Sequence, residues 1–379
     1  MAAPFPSQGR APWYIWLCVL AVTSSIVGIH WDISWHRSIG RDSFWTPAHM
    51  AIYLCGVLAG VICGFLILSS TFNKTSPLRE SSVTMWGFRG PLGAFIAAWG
   101  GIAMLVSAPF DNWWHAAYGL DVRVISPPHV LLFMGNGAIE IGAIILILGQ
   151  MNRATGALRS TLSWMFLYGG AVLVLGFGIF IVSYSFPNQM HSAMFYRVAC
   201  TSLPFALVGI GQASQQPWAS TKVAAIYMAF CMAAIWILPL FPAEPRLGPV
   251  YQKVTHFIPA PFPILLIVPA FFLDLLRDKP AGRNSWLQAA IAGSIFLLSL
   301  LAVQWPFSSF LLSPAARNWF FGSHYFDYST RPAGALARFQ FFDMDKGDFW
   351  FNLTLALFFA ILTTRLGMAW GESMRRVRR

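Results

Sequence analysis

The sequence predicts an all-α polytopic membrane protein, a transmembrane helical bundle, and three observations carry that expectation. Of 379 residues, 57% are hydrophobic and only 10% are charged, with a mean hydropathy of +0.60. Soluble domains carry about a quarter charged residues. The apolar runs reach the roughly 20 residues that a helix needs to cross a hydrocarbon core. They lack the alternation with period two that a membrane β-barrel would show. In lipid every backbone polar group must be satisfied internally, which leaves helices as the spanning element.

About ten spans are expected, at 12–30, 46–72, 91–112, 127–150, 161–185, 196–213, 222–242, 257–276, 286–306 and 349–370. Before the first span only Arg10 is basic, and its far end carries a ligand set, so this span is expected to be retained rather than cleaved. Four stretches follow from the pattern. Residues 1–150 hold repeated helix pairs with two His/Asp corners, and 151–305 a helical bundle. Residues 306–348 hold an aromatic extracytoplasmic cap, and 349–379 the last span with a basic tail.

Lys and Arg residues concentrate in cytoplasmic loops of membrane proteins. Fifteen of the 25 basic residues fall on the side that holds the N-terminus: Arg10, Lys74, Arg79, Arg89, Arg153, Arg159, Lys222, Arg277, Lys279, Arg283, Arg365, Arg375, Arg376, Arg378 and Arg379. Both termini are therefore expected in the cytoplasm, across an inner membrane of bacterial type. The net charge of +11 reflects this topology, and no aromatic-basic motif points to nucleic acid. The partner implied is the lipid bilayer, with other membrane subunits as a further possibility. His30, His36, His49, His115, His129, His191, His256 and His324 all fall on the outer side in this reading. A one-sided set suggests metal or proton chemistry at that boundary. The Cys residues at 18, 55, 63, 200 and 231 lie inside spans, where they read as small buried side chains.

One pattern occurs twice. Asp32, His36 and His49 follow the spacing Asp-x3-His-x12-His, and Asp111, His115 and His129 repeat it with one extra residue before the last His. In both copies a Trp precedes the middle His. A Gly follows it by four residues, at Gly40 and Gly119, and an Asp by six, at Asp42 and Asp121. Thr46-Pro47 and Ser126-Pro127 then open the next span. Residues four apart share a helix face. A left-handed Gly can end that helix, and Thr or Ser followed by Pro can start the next. The last His then projects from the first turn of the second helix, beside the last turn of the first. Two imidazoles and a carboxylate make a divalent-ion site with an open position. By affinity order such a set favours copper, with zinc and iron as alternatives and haem a poorer fit. Interfacial hydrogen bonding without a metal is the plain alternative. Asp42 and Asp121 read equally well as carboxylates orienting a ligand His or as turn residues.

Glu140 lies eleven residues beyond His129, about 16 Å deeper at 1.5 Å per residue. An ionisable group there reads as a proton relay or ion ligand, or as a protonated Glu hydrogen-bonded to Asn136. In the cap, His324 and Asp327 are candidates to approach a corner from above.

The Asp-x3-His-x12-His motif resembles the copper-ligand motif in the C subunit of the copper membrane monooxygenases, the family of particulate methane and ammonia monooxygenase. The resemblance covers residues 31–49 and 111–129; the remainder of the chain is longer, has more spans and is unlike that subunit. It implies copper, dioxygen and a small apolar or inorganic substrate, hence a copper-dependent oxidoreductase or monooxygenase, or a subunit of one. A copper-handling or assembly protein, a zinc-dependent membrane hydrolase and a transporter are the competing classes.

Overall fold

The structure is a computed structural model that describes residues 10–119, 126–277 and 284–378. It is an all-α bundle. Among the described residues, nine helical segments are long and apolar enough to cross a membrane: Trp13–Ser38, Pro47–Phe72, Leu92–Tyr118, Pro127–Met151, Gly156–Tyr184, Ala193–Ser214, Ala219–Leu240, Ser285–Leu312 and Phe349–Arg375. The chain is an integral membrane protein. Chain contacts divide it into two units, Met1–Ile29 with Ser43–Leu173 and Met374–Arg379, and His30–Asp42 with Val174–Ser373.

The first unit holds most of α1 (Trp13–Ser38), α2 (Pro47–Phe72), α3 (Leu92–Tyr118), α4 (Pro127–Met151) and the first part of α5 (Gly156–Ile181). Glycines let α3 pack against both neighbours at backbone distance. A Cβ built on Gly100 would stand 2.5 Å from the carbonyl oxygen of Gly135, and one on Gly93 2.4 Å from that of Gly142. On the other face, a Cβ on Gly101 would meet the carbonyl oxygen of Gly56 at 2.9 Å. Lipid offers little hydrophobic drive between helices, so close contact of small residues supplies the packing. Between α2 and α3 a short hairpin pairs β1 (Val83–Met85) with β2 (Phe88–Gly90). Its two turn residues, Trp86 and Gly87, both have positive φ, as tight hairpins require. Polar side chains tie the helices together. Thr23 Oγ1 and Tyr168 Oη are 2.7 Å apart, and Gln150 Nε2 donates to Tyr14 Oη at 2.7 Å.

The second unit holds α6 (Ala193–Cys200), α7 (Leu203–Ser214), α8 (Ala219–Ile237), α9 (Ile267–Arg277), α10 (Ser285–Leu312), α11 (Pro332–Ala337) and most of α12 (Phe349–Arg375). The expected span 196–213 is broken into α6 and α7. Pro204 lacks an amide hydrogen and its ring crowds the carbonyl four residues back, which belongs to Cys200. That carbonyl instead accepts from Thr363 Oγ1 at 2.9 Å.

The expected span 257–276 requires a larger correction. Only its second half, α9, is helical, while residues 257–265 have no regular secondary structure and Leu266 lies in a turn. Pro259, Pro261 and Pro263 explain it, because alternating prolines remove donors and exclude a helix. The segment nevertheless runs the whole length of α8. His256 bridges Pro242 just beyond one end of that helix. Asp274 accepts from the backbone N–H groups of Ser220 (3.2 Å) and Thr221 (2.8 Å) at the other. Irregular backbone in lipid must be satisfied by protein, and several backbone groups of this segment have protein partners. The N–H of Ile258 donates to Ser38 Oγ and its carbonyl accepts from Ser34 Oγ, both at 2.7 Å. The N–H groups of Ile264 and Leu265 donate to Tyr227 Oη and Gln304 Oε1.

The segment after α10 is ordered and anchored by acids. Asp345, 4% exposed, accepts from the N–H groups of Ala193 (2.6 Å) and Met194 (2.8 Å) at the start of α6 and from Asn352 Nδ2 (2.9 Å). Its negative charge suits a helix N-terminus. Asp327 pairs with Arg37 at 2.6 Å.

Candidate metal centre

The first corner lies in the short stretch 32–49 that joins α1 to α2. α1 ends at Ser38, and Gly40 turns the chain with φ +82° while its N–H donates to the Trp35 carbonyl at 3.1 Å. This is the left-handed ending that the sequence suggested. Pro47 opens α2 as expected. Thr46 precedes it, but its hydroxyl accepts from the Ser43 N–H at 2.8 Å instead of capping α2. The carbonyl of Thr46 accepts the Met50 N–H, so the helix start is still made.

These turns bring one ligand atom each from Asp32, His36 and His49 within 4.8 Å of one another. His36 Nε2 lies 3.7 Å from Asp32 Oδ2 and 3.5 Å from Asp42 Oδ2. His49 Nδ1 lies 2.9 Å from the Ser43 carbonyl. A carbonyl only accepts, so Nδ1 carries the hydrogen in this contact, and Nε2 is the nitrogen a neutral ring would offer to an ion. A hydrogen bond of this kind orients metal-ligating imidazoles. The group is partly open to solvent, with the side chain of His36 41% exposed and that of Asp32 22%.

The second corner lies inside the first unit, with residues 120–125 outside the described stretch, and its Gly119 (φ +90°, ψ 177°) does not take the left-handed helical ending that the sequence suggested. α3 runs to Tyr118, and Gly119, at φ +90°, donates its N–H to the His115 carbonyl at 2.9 Å. Ser126 is the N-cap of α4, its hydroxyl facing the His129 N–H at 3.5 Å, and Pro127 and Pro128 follow. Asp111 sits between two imidazoles. Its Oδ2 is 3.4 Å from His115 Nε2 and its Oδ1 is 3.5 Å from His129 Nε2. This corner is more enclosed, with side-chain exposures of 19% for Asp111, 16% for His115 and 24% for His129. Asp121 lies outside the described residues.

These spacings are longer than good N–H···O hydrogen bonds, which span about 2.7–3.2 Å. Ligands about 2.1 Å from one tetrahedral ion stand about 3.4 Å apart. In addition, Asp111 Oδ1 and His115 Nδ1 are buried without a hydrogen bond. The first trio therefore fits a divalent ion in donor type and spacing; among the described residues it alone gathers within 4.8 Å, since at the second corner His115 and His129 face different oxygens of Asp111.

The other sequence candidates are placed elsewhere. Glu140 is 4% exposed and accepts from Asn136 Nδ2 at 2.8 Å, while Asn136 Oδ1 accepts from Ser25 Oγ at 2.5 Å. This is the Glu–Asn bond anticipated one turn apart, extended to α1. His324 is exposed and packs on the Tyr325 ring, with centroids 3.9 Å apart. Asp327 faces Arg37 and Arg338. Neither is gathered with the ligand trio. His191 Nε2 bonds Ser309 Oγ at 2.8 Å. Burial pulls its pKa down, and a hydrogen bond with the Trp305 backbone opposes this. His30 meets the Phe230 ring edge-on, and His256 Nδ1 pairs with Thr255 Oγ1. Sequence reasoning missed Arg37 and Arg338 altogether. Arg37 adjoins His36, but its partner Asp327 is 290 residues away and has no local signature.

Comparison with protein-family models, with curated proteins and with solved structures gave no match. Fold and site define a class instead: a helical integral membrane protein with a His/Asp group arranged as metal ligands.

Proposed function

We propose that the chain is a copper-dependent membrane oxidoreductase of the monooxygenase type, or the ligand-bearing subunit of one. The observation that carries this reading is the convergence of Asp32, His36 and His49 to within 4.8 Å, with Asp111 placed between His115 and His129 at the second copy of the motif. Nitrogen and oxygen donors of this kind hold copper more tightly than other first-row divalent ions. The motif resemblance points the same way. A copper ion bound there would supply one-electron redox chemistry toward dioxygen.

The chain's own residues do the rest. Asp32 and Asp111 provide the anionic ligand that offsets the ion's charge. The Ser43 carbonyl fixes the tautomer of His49, and Asp42 lies 3.5 Å from His36 Nε2, the atom that also faces Asp32. The more exposed first corner suits access for a co-substrate, and the more enclosed second corner suits a tightly held ion. Small apolar substrates partition into the bilayer and would approach from the helix faces.

Oxygen consumption by membranes, coupled to oxidation of a small apolar or inorganic substrate, is expected to require copper and to be lost in Asp32→Ala and Asp111→Ala. Tight copper binding without oxygen chemistry, followed by transfer of the ion to a partner, would replace this reading with metal handling. The proline-broken crossing favours one further class, because transporters bind substrates at discontinuous segments. Substrate uptake by reconstituted vesicles without oxidation would select it.

Topology belongs to the same proposal. With 257–277 counted as a crossing, the chain passes ten times, and both termini lie in the cytoplasm with the corners outside. A reporter fused after Arg379 is expected to be active only in its cytoplasmic form. Activity of a periplasmic reporter at that position would reverse the orientation.

A further inference from the structure

Two guanidinium groups in the second unit face a single carboxylate. Arg37 Nε donates to Asp327 Oδ1 at 2.6 Å, and Nη1 of the same residue donates to the Pro259 carbonyl. Arg338 Nη1 donates to the Tyr325 carbonyl at 2.9 Å. Arg338 Nη2 stands 3.9 Å from Asp327 Oδ2, beyond hydrogen-bonding length. The side chains of Arg37, Asp327 and Arg338 are only 13%, 26% and 19% exposed. The ring of Phe186 lies near both cations, 6.0 Å from Arg37 Cζ and 5.4 Å from Arg338 Cζ. The cluster thus holds two positive charges and one negative charge, largely out of water.

Burial of uncompensated charge is costly. Burial lowers the pKa of Arg338, Asp327 opposes this and Arg37 adds to it. Both arginines also line a cavity of about 30 Å³, walled by Phe186, Pro259, Pro261, Phe262 and Phe339. By this measure one water needs about 10–15 Å³, so the space holds two or three heavy atoms. Between them the two guanidiniums carry ten N–H donors, of which the protein's own acceptors engage only a few. The planar guanidinium fork matches a carboxylate in particular.

The geometry points to a binding site for one small monovalent carboxylate between Arg37 and Arg338, in which the anion neutralises the excess charge of the cluster. Part of the wall, from Pro259 to Phe262, is contributed by the proline-rich half of the broken crossing. Occupancy would therefore tie Arg37 at the end of α1 to that segment and to the residues around Arg338. The site is independent of any metal.

The test uses the full chain in detergent with sodium formate as the probe and sodium gluconate at matched ionic strength as the bulky control. A ligand that binds only the folded state raises the unfolding temperature by mass action. Formate is expected to give a saturable rise that gluconate does not. Arg338→Gln should weaken the apparent affinity at least tenfold. Asp327→Asn, which removes the competing carboxylate, should strengthen it about tenfold. If Arg338→Gln does not fold, the opposite-signed Asp327→Asn result decides. Equal shifts with formate and gluconate, no saturation, or weaker binding in Asp327→Asn would overturn the proposal.

Discussion

Protein carrying His36→Ala with His49→Ala is expected to lose one metal equivalent per chain, and His115→Ala with His129→Ala another. The two losses should be unequal in ease. At the first corner the ligands are more exposed, with His36 at 41%. At the second, one carboxylate lies between two imidazoles and the side chains are at most 24% exposed. Chelator should therefore strip the first corner at lower concentration. Single His→Ala variants leave a two-donor set, and affinity should fall by more than the 10–100-fold typical of losing a supporting hydrogen bond. Elemental analysis of chromatographically pure protein checks this. Metal content unchanged in both double variants would make the corners structural.

A second large effect is expected far from the ligands. Gly100→Ala places a Cβ against the Gly135 carbonyl, 2.5 Å away in the present backbone. Neither partner is a flexible side chain, so α3 and α4 must separate. Overpacking of this kind costs about 1–3 kcal/mol. Gly100→Leu adds a branched side chain at the same point and is expected to prevent stable assembly of the first unit. Because α3 bears Asp111 and His115 and α4 bears His129, Gly100→Ala should also weaken metal retention at the second corner while sparing the first. Thermal unfolding in detergent, read beside metal content, separates the two effects. A Gly100→Ala protein of unchanged stability would mean that the helices do not meet there.

Much of this was legible in the sequence because the physics involved is local. A spanning helix announces itself by length and hydropathy. Gly40, Gly119, Pro47 and Pro127 mark helix ends through φ and the missing amide hydrogen, and those ends are where the structure has them. The Asp-x3-His spacing puts two ligands on one helix face without reference to the rest of the fold. What sequence reasoning missed is non-local. Hydropathy reports that 257–276 is apolar, but the backbone partners of its non-helical half, Ser34, Ser38, Tyr227 and Gln304, lie on α1, α8 and α10. Thr46 shows the limit at short range, since its hydroxyl had two backbone amides to choose from and took Ser43. Asp327 looked available to a metal corner because its partners, Arg37 and Arg338, cannot be paired with it by spacing.

The most direct test of the central claim is the metal content of the wild-type protein, purified without chelator and measured by mass spectrometry of the elements. The account predicts copper bound stoichiometrically, one ion at each corner, with X-ray absorption showing nitrogen and oxygen ligands near the 2.0–2.2 Å typical of imidazole and carboxylate donors. Protein that stays metal-free after incubation with copper, zinc and iron, and keeps the same unfolding temperature with and without them, would contradict it.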